Sequence, residues 1–224
     1  MSAMKRSAKL PTITMPDTIN TGVPVNTLPE HLPEHLDVGL KEWATVVHAL
    51  ETGRQILLLR KGGILEQSVK NRFSITHNEF LLFPTYLHQS RGELKPEVAF
   101  EPAAAEPDSV RITAAGVVTD IVKVASREQI DRLDGEHIWT PSLIDMRFNY
   151  KPQNPLYLVL VRAYRLPTPI TLANTPAYAG CKSWVPLGTA VSTEGAASVL
   201  DDQEYARHRD RILAATQNRE SMPR

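Results

Sequence analysis

Residues 156–164 read LYLVLVRAY, and this run carries the strongest strand signal in the chain. A run dominated by Leu, Val and Tyr predicts a strand that is buried in a sheet. Pro167 and Pro169 follow it, and because a proline cannot donate to a neighbouring strand, we expect the strand to end there. Four further runs have the same character: residues 55–60, 79–83 (ended by Pro84), 111–124 and 184–187.

Three helices are predicted around these strands. Residues 40–50 carry an apolar stripe at helical spacing, and Gly53 lies where such a helix would end. Ser126 and Gln129 have the spacing of a capping box that begins a short helix, and residues 198–216 are amphipathic. Strands and helices do not alternate regularly, so the sequence predicts an α+β fold and disfavours a doubly wound nucleotide-binding fold.

The chain divides into three parts by composition. Residues 1–36 are rich in Pro, Ser, Thr and Asn without apolar periodicity, which predicts an extended or disordered arm. Residues 37–216 are expected to form a single α+β domain, in which 101–109 is a linker or long loop that could mark a sub-boundary. Residues 217–224 are a polar tail.

Composition excludes several classes of protein. The 224 residues include one Cys, which excludes a disulfide framework and multi-cysteine zinc or iron–sulfur sites. No run approaches the roughly 18 apolar residues of a membrane span, and no secretory signal is evident, so we expect a cytoplasmic protein without a membrane partner. We expect no metal and no cofactor, because the seven His lack ligand spacing and no dinucleotide or P-loop glycine motif occurs.

Charge is unevenly distributed along the chain, although the formal net charge is zero. Residues 39–73 carry six Lys and Arg against three Glu, and residues 137–184 carry five against one Asp. Residues 91–110 carry two against five acids. If the two basic segments fold onto one face, that face suits a polyanion such as nucleic acid. An ordinary solvated surface is the alternative.

The sequence Arg60-Lys61-Gly62-Gly63 delivers two cations from a strand into a glycine turn. Glycines let a backbone approach a phosphate closely and consecutive N–H groups bind anions, so these four residues are predicted to bind nucleic-acid phosphates. Glu66 follows closely and is our first choice for a catalytic carboxylate. A tight turn with a surface Glu is the alternative interpretation.

A second group, Tyr86, His88 and Gln89, follows the predicted strand at 79–83. A Gln carboxamide can read a base edge and Tyr or His can stack on the base, so these residues are predicted to line a base pocket. Alternatively, their polar groups cap local backbone.

A third group lies in residues 137–151, where aromatic side chains alternate with cations. We assign Trp139 to the base pocket, and Arg147 and Lys151 to phosphate binding. Asp145 is the only acid of the segment and the second catalytic candidate. An aromatic core strand whose Lys and Arg reach solvent would give the same pattern.

Over about residues 38–188 the chain resembles a bacterial domain-of-unknown-function family, number 1802. The motifs that carry this resemblance are Lys41-Glu42-Trp43-Ala44, residues 59–64, Glu66, residues 83–86, His88-Gln89, Gly180-Cys181 and Ser183-Trp184-Val185. That family implies no activity. Residues 111–188 also resemble a PUA-like barrel of the ASCH or EVE type, which implies a mixed β-barrel with flanking helices that binds RNA or modified bases. Some ASCH-type proteins hydrolyse a modified nucleoside.

These observations predict a protein that acts on nucleic acid, with DNA favoured over RNA. The leading hypothesis is a hydrolase of the N-glycosidic bond, resembling a DNA glycosylase. It would flip out a modified base and use Glu66 or Asp145 to stabilise an oxocarbenium-like transition state. One alternative is a non-catalytic reader of modified DNA or RNA, and the EVE-type resemblance implies phage defence for either form. The other alternative is a protein-interaction or scaffold module that uses the proline-rich arm.

Overall fold

The computed structural model describes residues 32–61, 76–99, 103, 105–180 and 182–217. This part of the chain contains seven strands and four α-helices. The strands are β1 His35–Trp43, β2 Leu57–Arg60, β3 Glu79–Thr85, β4 Ser109–Val124, β5 Leu156–Ala173, β6 Trp184–Ser192 and β7 Ala197–Ser198. The helices are α1 Ala44–Glu51, α2 Arg127–Asp131, α3 Pro141–Asn149 and α4 Asp202–Thr216.

The strands form one mixed sheet in the order β2-β5-β4-β3-β1-β6, and the short β7 pairs with β5. β1 and β3 run parallel, whereas every other pair among the described strands is antiparallel. β4 and β5 share the longest ladder, from Ser109↔Ala173 to Val124↔Leu156. The predicted α+β class, with a mixed sheet and flanking helices, is confirmed.

Contacts between strands that are distant in the sheet order show that the sheet is strongly curved. β2 lies four places from β1 in that order. The Arg60 guanidinium at the end of β2 nevertheless donates to the Lys41 carbonyl oxygen of β1 at 3.1 Å and contacts the Glu42 carboxylate at 2.5 Å. Among the described strands no backbone pairing joins β2 to β1, so these side-chain contacts bring the sheet close to a closed barrel.

β5 does not end at Pro167 and Pro169, as the sequence predicts, but continues to Ala173. Its pairing with β4 shifts register where residues 165–170 lie opposite residues 112–114. The extra residues of β5 form an irregularity there, in which a proline need not donate a backbone hydrogen bond. The two prolines therefore interrupt the ladder without ending the strand.

The predicted helix over residues 40–50 is wrong at its start, because β1 continues to Trp43 and α1 begins at Ala44. β1 lies between β3 and β6, so pairing on both sides outweighs the helical spacing of its apolar residues. β1 also begins at His35, so the last two residues of the predicted arm belong to the sheet. β3 includes Pro84, at a point where its pairing with β4 has already ended.

Two apolar clusters cover the two faces of the curved sheet. Phe80 and Leu82 of β3 belong to the larger cluster, which includes buried residues of all four helices. The alternate residues Leu81 and Phe83 belong to the smaller cluster, together with β6 and Tyr178. This separation follows from the two-residue period of a strand, which directs successive side chains to opposite faces.

The predicted start of α2 is confirmed, whereas α4 begins at Asp202 and not at Ser198, which belongs to β7. Ser126 and Gln129 form the capping box at the beginning of α2. The Asp201 carboxylate accepts a hydrogen bond from the Glu204 N–H at 2.7 Å and caps α4. Both caps satisfy backbone N–H groups that have no partner within the helix.

α3 replaces the aromatic strand that was the alternative interpretation of residues 137–151. Thr140 is the N-cap and Pro141 occupies the first turn, an arrangement that favours the start of a helix. Within the described ranges no helix is long and apolar enough to cross a membrane.

Candidate functional site

The C-terminal ends of three strands meet at one edge of the curved sheet. Trp43 of β1 is the register neighbour of Thr85 of β3, and Arg60 of β2 contacts Glu42 of β1. α3 ends at the same place, since the Lys61 ammonium donates to two carbonyl oxygens at its C-terminal end at 3.0 and 2.5 Å. We name this edge the strand-end surface. It comprises Trp43, Arg60, Lys61, residues 85–89 and residues 147–151.

Arg60 belongs to the strand-end surface, but its charge is already neutralised. The Arg60 and Glu42 side chains are each 14% exposed and form an ion pair. The other Glu42 carboxylate oxygen accepts a hydrogen bond from the Trp43 N–H at 2.9 Å. The Arg60 Nε is buried and has no hydrogen-bond partner among the described residues. This geometry assigns Arg60 to the closure of the sheet, in place of the predicted phosphate contact.

Lys61 binds the end of α3, where its positive charge complements the partial negative charge of the helix C-terminus. Burial lowers the pKa of the Lys61 ammonium. The remaining predicted residues of this segment, Gly62, Gly63 and Glu66, lie outside the described residues. The structure therefore does not test the predicted binding of phosphates by the glycine turn, or the first catalytic candidate.

The second half of α3 and the two residues that follow it present cations and exposed apolar groups together. The Arg147 guanidinium lies 5.9 Å from the centre of the Trp43 ring, and the Lys151 ammonium lies 5.2 Å from the Tyr150 ring. Tyr150 is 54% exposed and Met146 is 47% exposed. Neither cation has a carboxylate partner among the described residues. These two predicted phosphate-binding residues thus lie on one exposed surface, beside an aromatic ring.

Asp145 is also on α3, but it is engaged elsewhere. Its carboxylate accepts a hydrogen bond from Arg127 Nε at 2.8 Å and is 59% exposed. Arg127 binds the Asp131 carboxylate as well. No contact joins Asp145 to the strand-end surface within the described ranges. The structure assigns it to a surface ion-pair network between α2 and α3.

Trp139 is a core residue, because only 4% of its surface is exposed. Its backbone forms an isolated bridge with Leu94, and its ring lies 5.4 Å from the ring of His137. A base has no access to a ring buried in this way. The assignment of Trp139 to a base pocket is therefore wrong for this structure.

The predicted base-pocket residues at 86–89 have different roles. The Gln89 carboxamide oxygen accepts from the N–H and the hydroxyl of Thr45 at the start of α1, at 3.3 and 2.9 Å. Its amide donates to the Thr85 carbonyl at 3.0 Å. Gln89 thus joins β3 to α1. Its carboxamide oxygen already accepts two hydrogen bonds, so it does not offer the donor and acceptor pair that reads a base edge. Tyr86 is half-buried and His88 exposed, and neither side chain has a partner among the described residues.

Glu106 and Tyr150 are the residues of interest that the sequence did not single out. The Glu106 carboxylate accepts hydrogen bonds from the end of β3, although we assigned residues 101–109 only to a linker. Nothing in the local sequence points to that contact, which crosses 20 residues. Tyr150 could have been identified, because an aromatic residue next to Lys151 already had the expected pattern.

A separate cleft of about 410 Å³ lies near the start of β1 and shares no residue with the strand-end surface. Its lining residues are Leu32, Glu34, His35, Tyr164, Ser192, Thr193, Glu194, Gly195 and Ala196. This lining contains two carboxylates and neither Lys nor Arg, so the cleft does not suit a polyanion. In the part of the chain that the structure describes, no three His, Cys, Asp or Glu side chains group as metal ligands.

Comparison with solved structures gives distant matches. The chain is similar to the ASCH protein from Zymomonas mobilis at 13% identity and a TM-score of 0.38, over 80% of this chain and 95% of that one. Two point variants of that protein match at 12% identity and a TM-score of 0.37. These matches cover 77% and 80% of this chain and 96% and 98% of the variants. No curated protein matches the chain significantly.

One family model covers most of the chain. It matches residues 39–211, a range that begins in β1 and ends within α4. The range includes the whole strand-end surface and the ion pair that closes the sheet. The resemblance predicted from the sequence motifs is confirmed, and the chain belongs to the family described as "Domain of unknown function (DUF1802)".

Proposed function

We propose that the protein binds single-stranded nucleic acid through the strand-end surface, with the end of α3 and residues 150–151 making the main contacts. The observation that carries this proposal is the exposed Tyr150 ring, which lies with Arg147 and Lys151, two cations that no described carboxylate neutralises. An exposed aromatic ring offers a stacking platform to a base, and unpaired Arg and Lys bind phosphates. A single strand leaves its base faces free for such stacking.

A purely structural role is the main competitor. Arg147 lies in the last turn of α3, where a cation stabilises the helix dipole. Its contact with Trp43 could serve only to hold α3 against β1. In that case, replacing Tyr150 or Lys151 would leave nucleic-acid binding unchanged, because neither side chain would touch the ligand.

Fluorescence anisotropy with labelled DNA and RNA single strands and duplexes, at low salt, tests the proposal. We expect Tyr150→Ala to weaken single-strand binding about tenfold and Tyr150→Trp to retain it. Lys151→Ala should weaken binding. It should also reduce the slope of log affinity against log salt concentration by about one. The DNA and RNA arms also test the predicted preference for DNA.

The matched control is Arg207→Ala, which removes a 62% exposed cation from α4. It should bind as the wild type does. Equal losses for Arg207→Ala and Lys151→Ala would mean that binding reflects overall charge. The proposal fails if no strand binds at low salt. Loss of a protein partner on deletion of residues 1–36 would then favour the interaction module.

Base excision remains a further prediction. It is tested with duplexes that carry ordinary, 5-hydroxymethylated or glucosylated cytosine, followed by alkali and detection of strand scission. Scission of one modified duplex that is lost in Glu66→Ala would support the enzyme. Binding without scission would favour a reader of modified nucleic acid.

A further inference from the structure

The Glu106 carboxylate is held by three hydrogen-bond donors at the end of β3. It accepts from the Tyr86 N–H at 3.1 and 3.2 Å, from the Leu87 N–H at 3.2 Å, and from the Thr85 hydroxyl. We name these three donors the cradle. All of them are neutral, and among the described residues no Lys or Arg pairs with Glu106. Directed backbone N–H groups therefore bind this anion, an arrangement that accepts other oxyanions equally well.

We propose that the cradle is a phosphate-binding site and that Glu106 fills it while no phosphate is bound. A phosphate offers anionic oxygens that accept the same hydrogen bonds as a carboxylate. The inference rests on the proposed function, because it adds a phosphate contact to the strand-end surface. A phosphate monoester and an internal phosphodiester share this chemistry, and the experiment below separates them.

Glu106 is placed where it can leave without disturbing the core. Its neighbours Ala105 and Pro107 are exposed, and β4 begins only at Ser109. The cradle itself is fixed, because Gln89 ties the same turn to the start of α1. Release of Glu106 would therefore expose a site that is already formed.

The surroundings of the cradle suit a nucleotide. Tyr86 supplies one of the cradle donors through its backbone, and its half-buried ring makes no polar contact among the described residues, so we expect this ring to stack on the base of a bound nucleotide. His88 is exposed and has a φ of 62°, a left-handed conformation that turns the chain at this point. Trp43, the register neighbour of Thr85, joins this turn to Arg147 of α3.

Amide NMR of the full chain, titrated with inorganic phosphate, tests the inference directly. In Glu106→Ala we expect the Tyr86 and Leu87 amide signals to shift, with an affinity for phosphate about tenfold or more above that of the wild type. Adding Thr85→Val should remove much of this gain, since it deletes one donor. The control Glu97→Ala removes a 58% exposed carboxylate from the same acidic segment without opening the cradle, and should behave as the wild type.

The inference is overturned if neither amide shifts in Glu106→Ala, or if Glu97→Ala gives the same gain. Glu106→Gln, which keeps the size of the side chain, replaces the Ala variant if that variant does not fold. Single strands with a 5′-phosphate or a 5′-hydroxyl then identify the ligand. A gain confined to the phosphorylated strand indicates a terminal monoester, and equal gains indicate a diester.

The two proposals fail separately. If phosphate binds the cradle but Tyr150→Ala leaves strand binding unchanged, the proposed use of α3 fails and the cradle stands. If strands bind in a Tyr150-dependent way while the cradle amides stay still, only the cradle is overturned.

Discussion

His137 shows how the interior of this protein controls a single proton. The side chain is buried. Burial, together with a smaller contribution from the nearby Lys95 charge, lowers the pKa of His137 from 6.5 to about 4. The imidazole is therefore neutral in the folded protein at pH 7. Its Nδ1 accepts a hydrogen bond from the Trp139 N–H at 3.3 Å, a role that the neutral ring can fulfil.

This burial predicts a stability that depends on pH. Because the pKa of His137 is lower in the folded protein, the unfolded chain takes up the proton first as the pH falls. The stabilisation is complete above about pH 6.5 and decreases towards about pH 4, by about 3 kcal/mol in total. Urea unfolding across this range should show the decrease in the wild type. The His137→Phe variant should lack it, so that the difference in stability between the two proteins changes as the pH falls. Parallel profiles for the two proteins would contradict the prediction.

Residue identity alone did not reveal which polar and aromatic groups are accessible. Trp139 and Tyr150 lie in the same segment, yet the first is 4% and the second 54% exposed. Trp139 packs into the core, whereas Tyr150 faces solvent. The alternation of aromatic and cationic residues does not specify which of them face the core. Arg60 was placed correctly at a strand end, but its partner Glu42 is distant in sequence.

At the scale of elements, α4 shows how a polar helix is attached to the domain. Tyr205 and Ile212 are buried against the larger cluster. Arg209 forms two hydrogen bonds of 2.7 Å with the Asp120 carboxylate, and the buried Glu136 binds His208 at 2.6 Å. The helix is thus held by a narrow apolar stripe and by ion pairs on either side of it.

The N-cap of α4 should contribute measurably to stability. Asp201→Ala removes the carboxylate that accepts from the Glu204 N–H at 2.7 Å. We expect a loss of about 1 kcal/mol in the free energy of unfolding, measured with urea. The control Asp210→Ala removes a 74% exposed carboxylate from the same helix and should change stability by less than about 0.5 kcal/mol. Equal effects would show that helix charge, rather than the cap, is responsible.

Elements whose signals are local could be predicted from the sequence. The start of α2 follows from its capping box, and the core of β5 follows from its apolar run. The amphipathic pattern identifies α4 but begins it at residue 198, four residues too early. The extension of β5 past Pro167 and Pro169 could not be predicted, because it depends on an irregularity in the pairing with β4. The helix predicted over residues 40–50 fails at its first turn for the same reason, because residues 40–43 form part of β1 by pairing with neighbouring strands.

At the scale of the whole molecule, the pair of Glu42 and Arg60 closes the curved sheet. Each side chain is 14% exposed. Removing one partner leaves the other charge buried, which costs more than the loss of an exposed pair. Its partners come from strands that are four places apart in the sheet order, so the pair fixes the curvature of the sheet.

Glu42→Ala should therefore lower the free energy of unfolding by about 3 kcal/mol in urea unfolding. The double variant Glu42→Ala with Arg60→Met should recover part of this loss, because it removes the uncompensated charge. Glu97→Ala, which breaks the exposed 3.7 Å contact with Arg54, is the control and should cost less than about 1 kcal/mol. A loss of similar size in Glu97→Ala and Glu42→Ala would contradict a special role for the closing pair.

The contact between β2 and β1 is made by the Arg60 side chain and not by backbone pairing of the two strands. A barrel closed by backbone hydrogen bonds keeps its circumference whatever the charge state of its side chains. Here the Arg60 guanidinium holds the end of β2 to the Glu42 carboxylate and to the Lys41 carbonyl oxygen of β1, so this contact depends on the charge of two side chains. Trp43 and Lys61, the chain neighbours of Glu42 and Arg60, belong to the strand-end surface, so the ion pair and that surface are built on the same two strand ends.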